Sequence, residues 1–278
     1  MTDVVTLEPP PPAEARCANC GAALHGPFCS ACGQAVKPLD PPARHFIGEF
    51  AQELFDVDNR VLRSLRRLFL TPGFLTREYF AGRRARWVSP LKLYLSTSVA
   101  CFAVLAVIGD SGVVQLTATG DPNDASGFAE YGYRSLEDMR AATDAAQVAW
   151  MPRVMFVLVP FVAWLVARAR RRSGRRYPAH LVFTLHLYAA AFGVRAVTSS
   201  LGAAGPSGLA EGLAIVTVLY VAGYTYLALR RAYGISRGLA VRDTAIVTLG
   251  SWLALMVGTG AVVVVAVFGR YWLKLLGF

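Results

Sequence analysis

The chain has 278 residues, of which 55% are hydrophobic and 17% charged, and its formal net charge is +10. Water-soluble proteins carry about 25% charged residues, so this composition argues against a single aqueous domain and favours several segments buried in lipid. The basic residues cluster at the ends of apolar runs. Anionic headgroups and the positive-inside rule account for that placement, so we expect a lipid bilayer and not nucleic acid as the partner of this charge.

Residues 1–16 form a proline-rich leader, which we expect to be disordered. The leader has neither a basic n-region nor an apolar h-region, so no signal peptide is predicted and the N-terminus is expected in the cytosol. Because the cytosol is reducing, this location favours a metal site over disulfides for the cysteines that follow.

Residues 17–34 read CANCGAALHGPFCSACGQ, two C-x2-C pairs separated by eight residues. This spacing lets both thiolates of a pair approach one ion at about 2.3 Å. Gly21 and Gly33 follow the pairs and suit turns with positive φ. A set of four thiolates favours zinc, with iron as the lesser alternative. The predicted ligands are Cys17, Cys20, Cys29 and Cys32.

The predicted zinc is structural, because four protein ligands leave no position for water. The alternative is a pair of redox dithiols, but the βαβ pattern typical of such motifs is missing here. His25 lies between the pairs and is interpreted as a surface residue.

Residues 35–44 form a linker with three prolines, and residues 45–90 then carry apolar side chains at helical spacing with basic flanks. This pattern predicts cytosolic amphipathic helices, one of them capped by Thr71 with Pro72 at its first position. They could lie in the headgroup region or pack on one another as a small soluble bundle. The headgroup interpretation is favoured because a membrane-interface belt follows. Its residues are Arg83, Arg84, Arg86 and Trp87.

Five apolar runs are long enough to cross a bilayer, so the predicted fold class is an all-α polytopic membrane protein with a small N-terminal zinc-ribbon knuckle. The transmembrane domain covers 91–278, with spans near 91–109, 148–167, 179–198, 207–229 and 244–269. Ser135, with Asp138 three residues on, predicts a helix start that continues into the second run.

The loops between the runs predict the orientation. The 168–178 loop has six arginines and the 230–243 loop has four, whereas the 110–147 loop has seven acidic residues. The positive-inside rule then places the N-terminus in the cytosol and the C-terminus outside. We expect the bacterial inner membrane.

The third run has the most polar side chains, and several share one face within about 80° at helical spacing. The possible intramembrane site comprises His180, Thr184, Tyr188 and Arg195, with Tyr220 and Tyr224 from the fourth run. It either binds an anionic or polar ligand or, as we favour, supplies interhelical hydrogen bonds that fix packing. A His180/His186 metal site is disfavoured because the two rings diverge and no carboxylate accompanies them.

Four motifs appear in a familiar order: CANCG (17–21), FCSACGQ (28–34), TPGFLTREYFAGRRARWVSPLKLYL (71–95) and HLVFTLHLY (180–188). With them the chain resembles an uncharacterised bacterial membrane-protein family, domain-of-unknown-function family 3667. Its members pair an N-terminal zinc-ribbon-like element with a multi-span membrane region. The resemblance implies a membrane location and a metal ribbon but no established activity.

No nucleophile motif, phosphate loop or paired carboxylates were found within the apolar runs, so no enzyme is predicted. The first hypothesis is a non-enzymatic membrane protein whose cytosolic zinc ribbon serves protein interaction or scaffolding. The alternative is a small-molecule or lipid transporter or binding protein that uses the polar stripe around Arg195.

Overall fold

The structure is a computed structural model that describes residues 16–36, 59–109, 131–206 and 208–275. Within these ranges it is helical, apart from two isolated β-bridges near the N-terminus. The helices are α1 (Asn59–Leu70), α2 (Phe74–Phe80), α3 (Pro90–Ile108), α4 (Leu136–Ala169), α5 (Tyr177–Ala204), α6 (Leu209–Tyr233) and α7 (Arg237–Leu275). The predicted leader up to residue 15, most of the linker and the predicted helix at 45–55 lie outside the described residues.

Helices α3 to α7 are each long and apolar enough to cross a membrane, which confirms the five predicted spans. Helix α4 begins where the sequence predicts, because the side chain of Ser135 accepts a hydrogen bond from the backbone N–H of Asp138 at 3.2 Å. The predicted helix in the outer loop and the second span are therefore one continuous helix.

Helix α5 is the centre of the bundle. It packs against α3, α4 and α6, and also against the two short helices α1 and α2. Small residues allow this close packing: Ala189 and Ala190 are buried, and Gly193 faces the ring of Phe69. Between helices in lipid such close van der Waals contact replaces the hydrophobic driving force that operates in water.

One end of the bundle collects the arginine-rich loops, and we call it the basic end (residues 16–36, 59–89, 168–178 and 230–243). Contacts across it join segments distant in sequence. The guanidinium of Arg175 lies 3.9 Å from the ring centroid of Phe80, and Arg231 Nη1 donates to the carbonyl of Pro72 at 2.9 Å.

Helices α1 and α2 form a helical hairpin whose turn differs from the prediction. The predicted N-cap at Thr71 is wrong, because Gly73 is the N-cap residue and α2 begins at Phe74. Thr71 instead donates its hydroxyl hydrogen bond back to the carbonyl of Arg67 at 2.6 Å. The turn needs a positive φ, which Gly73 supplies at 74° and which a threonine or proline would not adopt.

Part of the apolar side of the hairpin is buried against the spans. Leu68, Leu75 and Thr76 are almost fully buried, and the hairpin packs on α5 and α6. At its tip, the hydroxyl of Tyr220 in α6 donates to the carbonyl of Phe69 at 3.1 Å. The spans therefore cover part of the apolar face of the hairpin, and its position in the headgroup region stays a prediction.

Candidate metal centre and its docking surface

The N-terminal cysteine segment is built from two equivalent knuckles, twelve residues apart in sequence. In each, the glycine after the second cysteine donates its N–H to the carbonyl of the first cysteine at 2.8 Å. The two glycines, Gly21 and Gly33, have φ values of 79° and 71°, as the sequence predicts. A β-bridge flanks each knuckle, Arg16 with Ala23 and Phe28 with Ala35. We call residues 16–36 the ribbon.

The four cysteine sulfurs converge on one point. All lie within 4.8 Å of one another, with Cys17 Sγ 3.7 Å from Cys32 Sγ and Cys20 Sγ 3.5 Å from Cys29 Sγ. These distances are too long for disulfides. They fit the edges of a tetrahedron of about 3.8 Å around an ion bound at about 2.3 Å. The four cysteines are therefore a possible metal site.

The crowded thiols perturb one another. The backbone N–H of Ala22 acts to lower the pKa of Cys20, but the neighbouring thiols, led by Cys29, outweigh it and raise that pKa to about 12. The pKa of Cys32 falls to about 6, because the backbone N–H of Gln34 and the side chain of Asn19 stabilise its thiolate. Metal ligation requires all four cysteines as thiolates. A bound cation would neutralise the repulsion between these thiolates and so favour that state.

The side chain of Gln34 joins the ribbon to the helical domain. Gln34 Nε2 donates to the carbonyl of Gly82 at 2.8 Å, and Gln34 Oε1 accepts from the backbone N–H groups of Arg84 and Ala85 at 3.0 and 3.1 Å. Gln34 also belongs to the second knuckle, where its carbonyl accepts from the N–H of Cys29 at 2.9 Å. The metal site and the docking contact therefore share one short loop.

The turn that receives Gln34 is held in place by the residues around it. Arg83 Nε donates to Glu78 Oε2 at 2.8 Å, and a second guanidinium contact closes the ion pair. This pair lowers the pKa of Glu78 below its ordinary value. Arg84 lies over the ring of Tyr79 at 4.0 Å from the centroid. These contacts hold the turn in the conformation that binds Gln34.

The other two residues of the predicted interface belt sit beside this turn. Arg86 is exposed, and the ring of Trp87 packs edge-on against Phe74 at 5.4 Å. Their depth in a bilayer stays a prediction.

Polar and aromatic residues of α5 contact both α6 and α5 itself. His180 Nδ1 lies 2.8 Å from the hydroxyl of Tyr233, and the hydroxyl of Thr184 donates to the carbonyl of His180 at 3.0 Å. Tyr188 packs against Phe192. The hydroxyl of Thr198 lies 2.9 Å from that of Thr217. The His180–Tyr233 and Thr198–Thr217 contacts join α5 to α6 and favour the packing interpretation, whereas the contacts of Thr184 and Tyr188 lie within α5.

The remaining residues of the predicted intramembrane site are two tyrosines of α6 and an arginine of α5. Tyr220 and Tyr224 lie with ring centroids 5.8 Å apart, and Tyr220 bonds the hairpin tip as described above. Arg195 is half-buried. The transporter hypothesis around Arg195 stays a prediction.

Sequence reasoning missed three features of this region. His186 lies on the opposite face of α5, as the sequence predicts, but its partner was not predicted: its Nδ1 is 3.0 Å from the hydroxyl of Thr76 in the hairpin. Asp243 is fully buried, 3.1 Å from Arg170 and 2.7 Å from Arg242. As the only acidic residue after Glu211, it could have been singled out.

The third missed feature is Gln34, whose role is visible only by aligning the two knuckles. Gln34 takes the place that Ala22 has in the first knuckle. A long polar side chain at one of two equivalent positions is a signal that sequence reasoning could have used.

Comparison with known families adds one result to this geometry. The model of the family described as "Protein of unknown function (DUF3667)" matches residues 58–102. Over this segment the match confirms the predicted family of unknown function. The match covers the α1–α2 hairpin, the turn that holds Gln34 and most of α3, and it leaves out the cysteine ribbon. No curated protein and no solved structure matches the chain.

Proposed function

We propose that this chain is a non-enzymatic integral membrane protein whose zinc ribbon serves protein interaction on the cytosolic face of the bacterial inner membrane. The observation that carries the proposal is the convergence of four sulfurs at tetrahedral spacing in a ribbon that Gln34 fastens to the basic end. A closed four-ligand site stabilises a small fold and presents its surface, and it offers no coordination position to a substrate.

Zinc is the metal we propose, with iron as the lesser alternative. Zinc has no geometric preference of its own and accepts the tetrahedral arrangement of four thiolates that the ribbon offers. The ligand set, and not any catalytic group nearby, supports this choice.

The proposed orientation places the basic end in the cytosol. The arginines of the 168–178 and 230–243 segments lie at the same end as the ribbon, and short basic loops stay on the cytoplasmic side. The five spans then put the C-terminus outside. Reporter fusions to residues 28 and 278 test the orientation, and equal cytosolic signals from both sites would contradict it.

The face of the ribbon available to a partner includes a large apolar side chain. Phe28 is 64% exposed, although it directly precedes the buried ligand Cys29. Exposed aromatic side chains are typical anchors in protein interfaces. The metal knuckle and the Gln34 contact lie close to Phe28 in the chain and restrict its movement. A protein partner could therefore bind Phe28 at a low cost in conformational entropy.

Site-specific photocrosslinking tests the proposed interaction. A photoreactive residue at position 28 in the full-length protein in cells is expected to give a discrete protein adduct. The adduct should disappear when Cys17 and Cys20 are changed to serine, while membrane insertion persists. A photoreactive residue at the exposed Leu62 of α1 is the matched control. The same adduct from both positions, or one that survives loss of the cysteines, would refute the proposal.

A further inference from the structure

A cleft of about 400 Å³ lies between the ribbon and the end of helix α2. It exists because Gln34 holds the two parts side by side: Gln34 and Gly82, which are hydrogen-bonded to each other, both line it. The volume lies in the range of small-molecule sites.

The described residues that line the cleft include two cations and no carboxylate. The cations are Arg16 from the ribbon and Arg84 from the docking turn, and the predicted metal ligand Cys17 also lines the cleft. The nearby Glu78 is already engaged by Arg83. On the ribbon side, Arg16 is exposed, and its Nη1 donates to the carbonyl of Gly21 over a long distance of 3.4 Å. That contact is at the outer limit of a hydrogen bond, so Arg16 can turn towards a ligand at little cost.

The rest of the lining is largely apolar. Leu24, which is 7% exposed, faces the cleft from the ribbon, and the half-buried ring of Phe80 faces it from the end of α2. The guanidinium of Arg175 lies over that ring and adds to the positive potential. Two cations beside an apolar wall suit a ligand that has an anionic head and an apolar body.

We infer that this cleft binds a phosphate-bearing amphiphile, with its phosphate between Arg16 and Arg84 and its apolar part against Leu24 and Phe80. Arginine guanidinium groups bind phosphate with paired, charge-assisted hydrogen bonds. The cleft lies at the basic end, where anionic phospholipid headgroups concentrate at a cytoplasmic leaflet. A soluble phosphate compound has the same head chemistry, so the two sources need separate measurements. The inference is independent of the proposed protein interaction.

Two probes separate the sources. The full-length, metal-loaded protein in neutral detergent is titrated with phosphatidylglycerol and followed by native mass spectrometry. A parallel sample is titrated with inorganic phosphate and followed by phosphorus NMR line width. Tighter binding of phosphatidylglycerol identifies the bilayer as the source, and tighter binding of inorganic phosphate identifies a soluble compound.

The decisive variant is the double substitution Arg16→Gln with Arg84→Gln. Each lost guanidinium–phosphate contact is expected to weaken binding about tenfold. The matched control is Arg63→Gln with Arg66→Gln, which removes the same charge from exposed positions of α1 outside the cleft lining. The control should bind as the wild type does.

A second variant distinguishes a loss of binding from a folding defect in the first variant. Ala81→Trp places a large side chain at an exposed position that lines the cleft and leaves charge and Gln34 unchanged. It should also lose binding, with its metal content and hydrogen exchange at residues 82–85 unchanged. The inference is overturned if neither probe binds the wild type, or if the cleft variants bind as tightly as the control.

Discussion

The amide nitrogen of Gln34 donates a hydrogen bond to the carbonyl oxygen of Gly82 at 2.8 Å, across 48 positions of the sequence. The same side chain satisfies two further backbone N–H groups of the turn after α2. One residue of a metal knuckle therefore links the ribbon to the segment that the family match covers.

Replacing Gln34 by alanine should release the ribbon from this turn while leaving the metal site intact. Each neutral hydrogen bond contributes about 1 kcal/mol, so losing three should raise hydrogen exchange at the amides of residues 84 and 85 at least about tenfold. Hydrogen–deuterium exchange with mass spectrometry measures this. Gln34→Glu is the comparison variant, because its carboxylate keeps the acceptor for the two N–H groups but replaces the donor to Gly82 by an oxygen and adds a negative charge. Exchange at residues 84 and 85 should rise less in it than in Gln34→Ala. Unchanged exchange in Gln34→Ala would disprove the docking role.

The cysteine cluster should bind one metal ion per chain. Cys17→Ser with Cys20→Ser should abolish metal binding, because two sulfurs cannot complete a tetrahedral site. Elemental analysis of the purified protein gives both the stoichiometry and the choice between zinc and iron. Cys101→Ser is the control, since this cysteine is buried in α3 away from the cluster, and its metal content should match the wild type. Full metal content in the double variant would rule out the predicted site.

Gly73 should tolerate substitution poorly because two effects coincide there. Its φ is 74°, and a Cβ would lie 2.6 Å from the carbonyl oxygen of Ala228. Gly234 has a similar φ of 65° with no neighbour within 4 Å, so Gly234→Ala isolates the backbone effect at about 1 kcal/mol. Gly73→Ala should lose about 3 kcal/mol in total, because overpacking adds to it. Thermal unfolding in detergent compares the two, and equal losses would contradict the close packing of hairpin and α6.

The Glu78–Arg83 pair should make stability depend on pH in the acid range. The pKa of Glu78 is lowered in the folded state, so its contribution is present above the unfolded value of about 4.3 and is lost as the pH falls through the folded value. Glu78→Gln should therefore lower the unfolding temperature at neutral pH and flatten its decline in acid.

The control for this pair is Asp144→Asn, at an exposed position of α4. It should leave the acid dependence of the unfolding temperature as in the wild type. If the unfolding temperature falls equally with decreasing pH in Glu78→Gln and in the wild type, the ion pair contributes nothing to this pH dependence.

The sequence by itself determined the features that depend on short-range pattern. The lengths of the apolar runs predicted five spans, and the spacing of the cysteines predicted a site where four sulfurs converge. Both are local properties, since a span is set by about 20 consecutive residues and a knuckle by two ligands three positions apart. The helix start at Ser135 followed from an equally local capping pattern.

The tertiary structure alone decided where these parts meet. The pairing of Thr76 with His186 joins residues 110 positions apart, and a helical repeat assigns His186 to a face of α5 without naming what covers it. The sequence predicted Thr71 as the N-cap residue because threonine often caps a helix when proline follows it. In the structure Gly73 is the N-cap residue, and its close approach to α6 determines where α2 begins. Helical periodicity predicts which side of a helix is apolar. It does not predict which other segment covers that side, because that segment can lie far away in the chain.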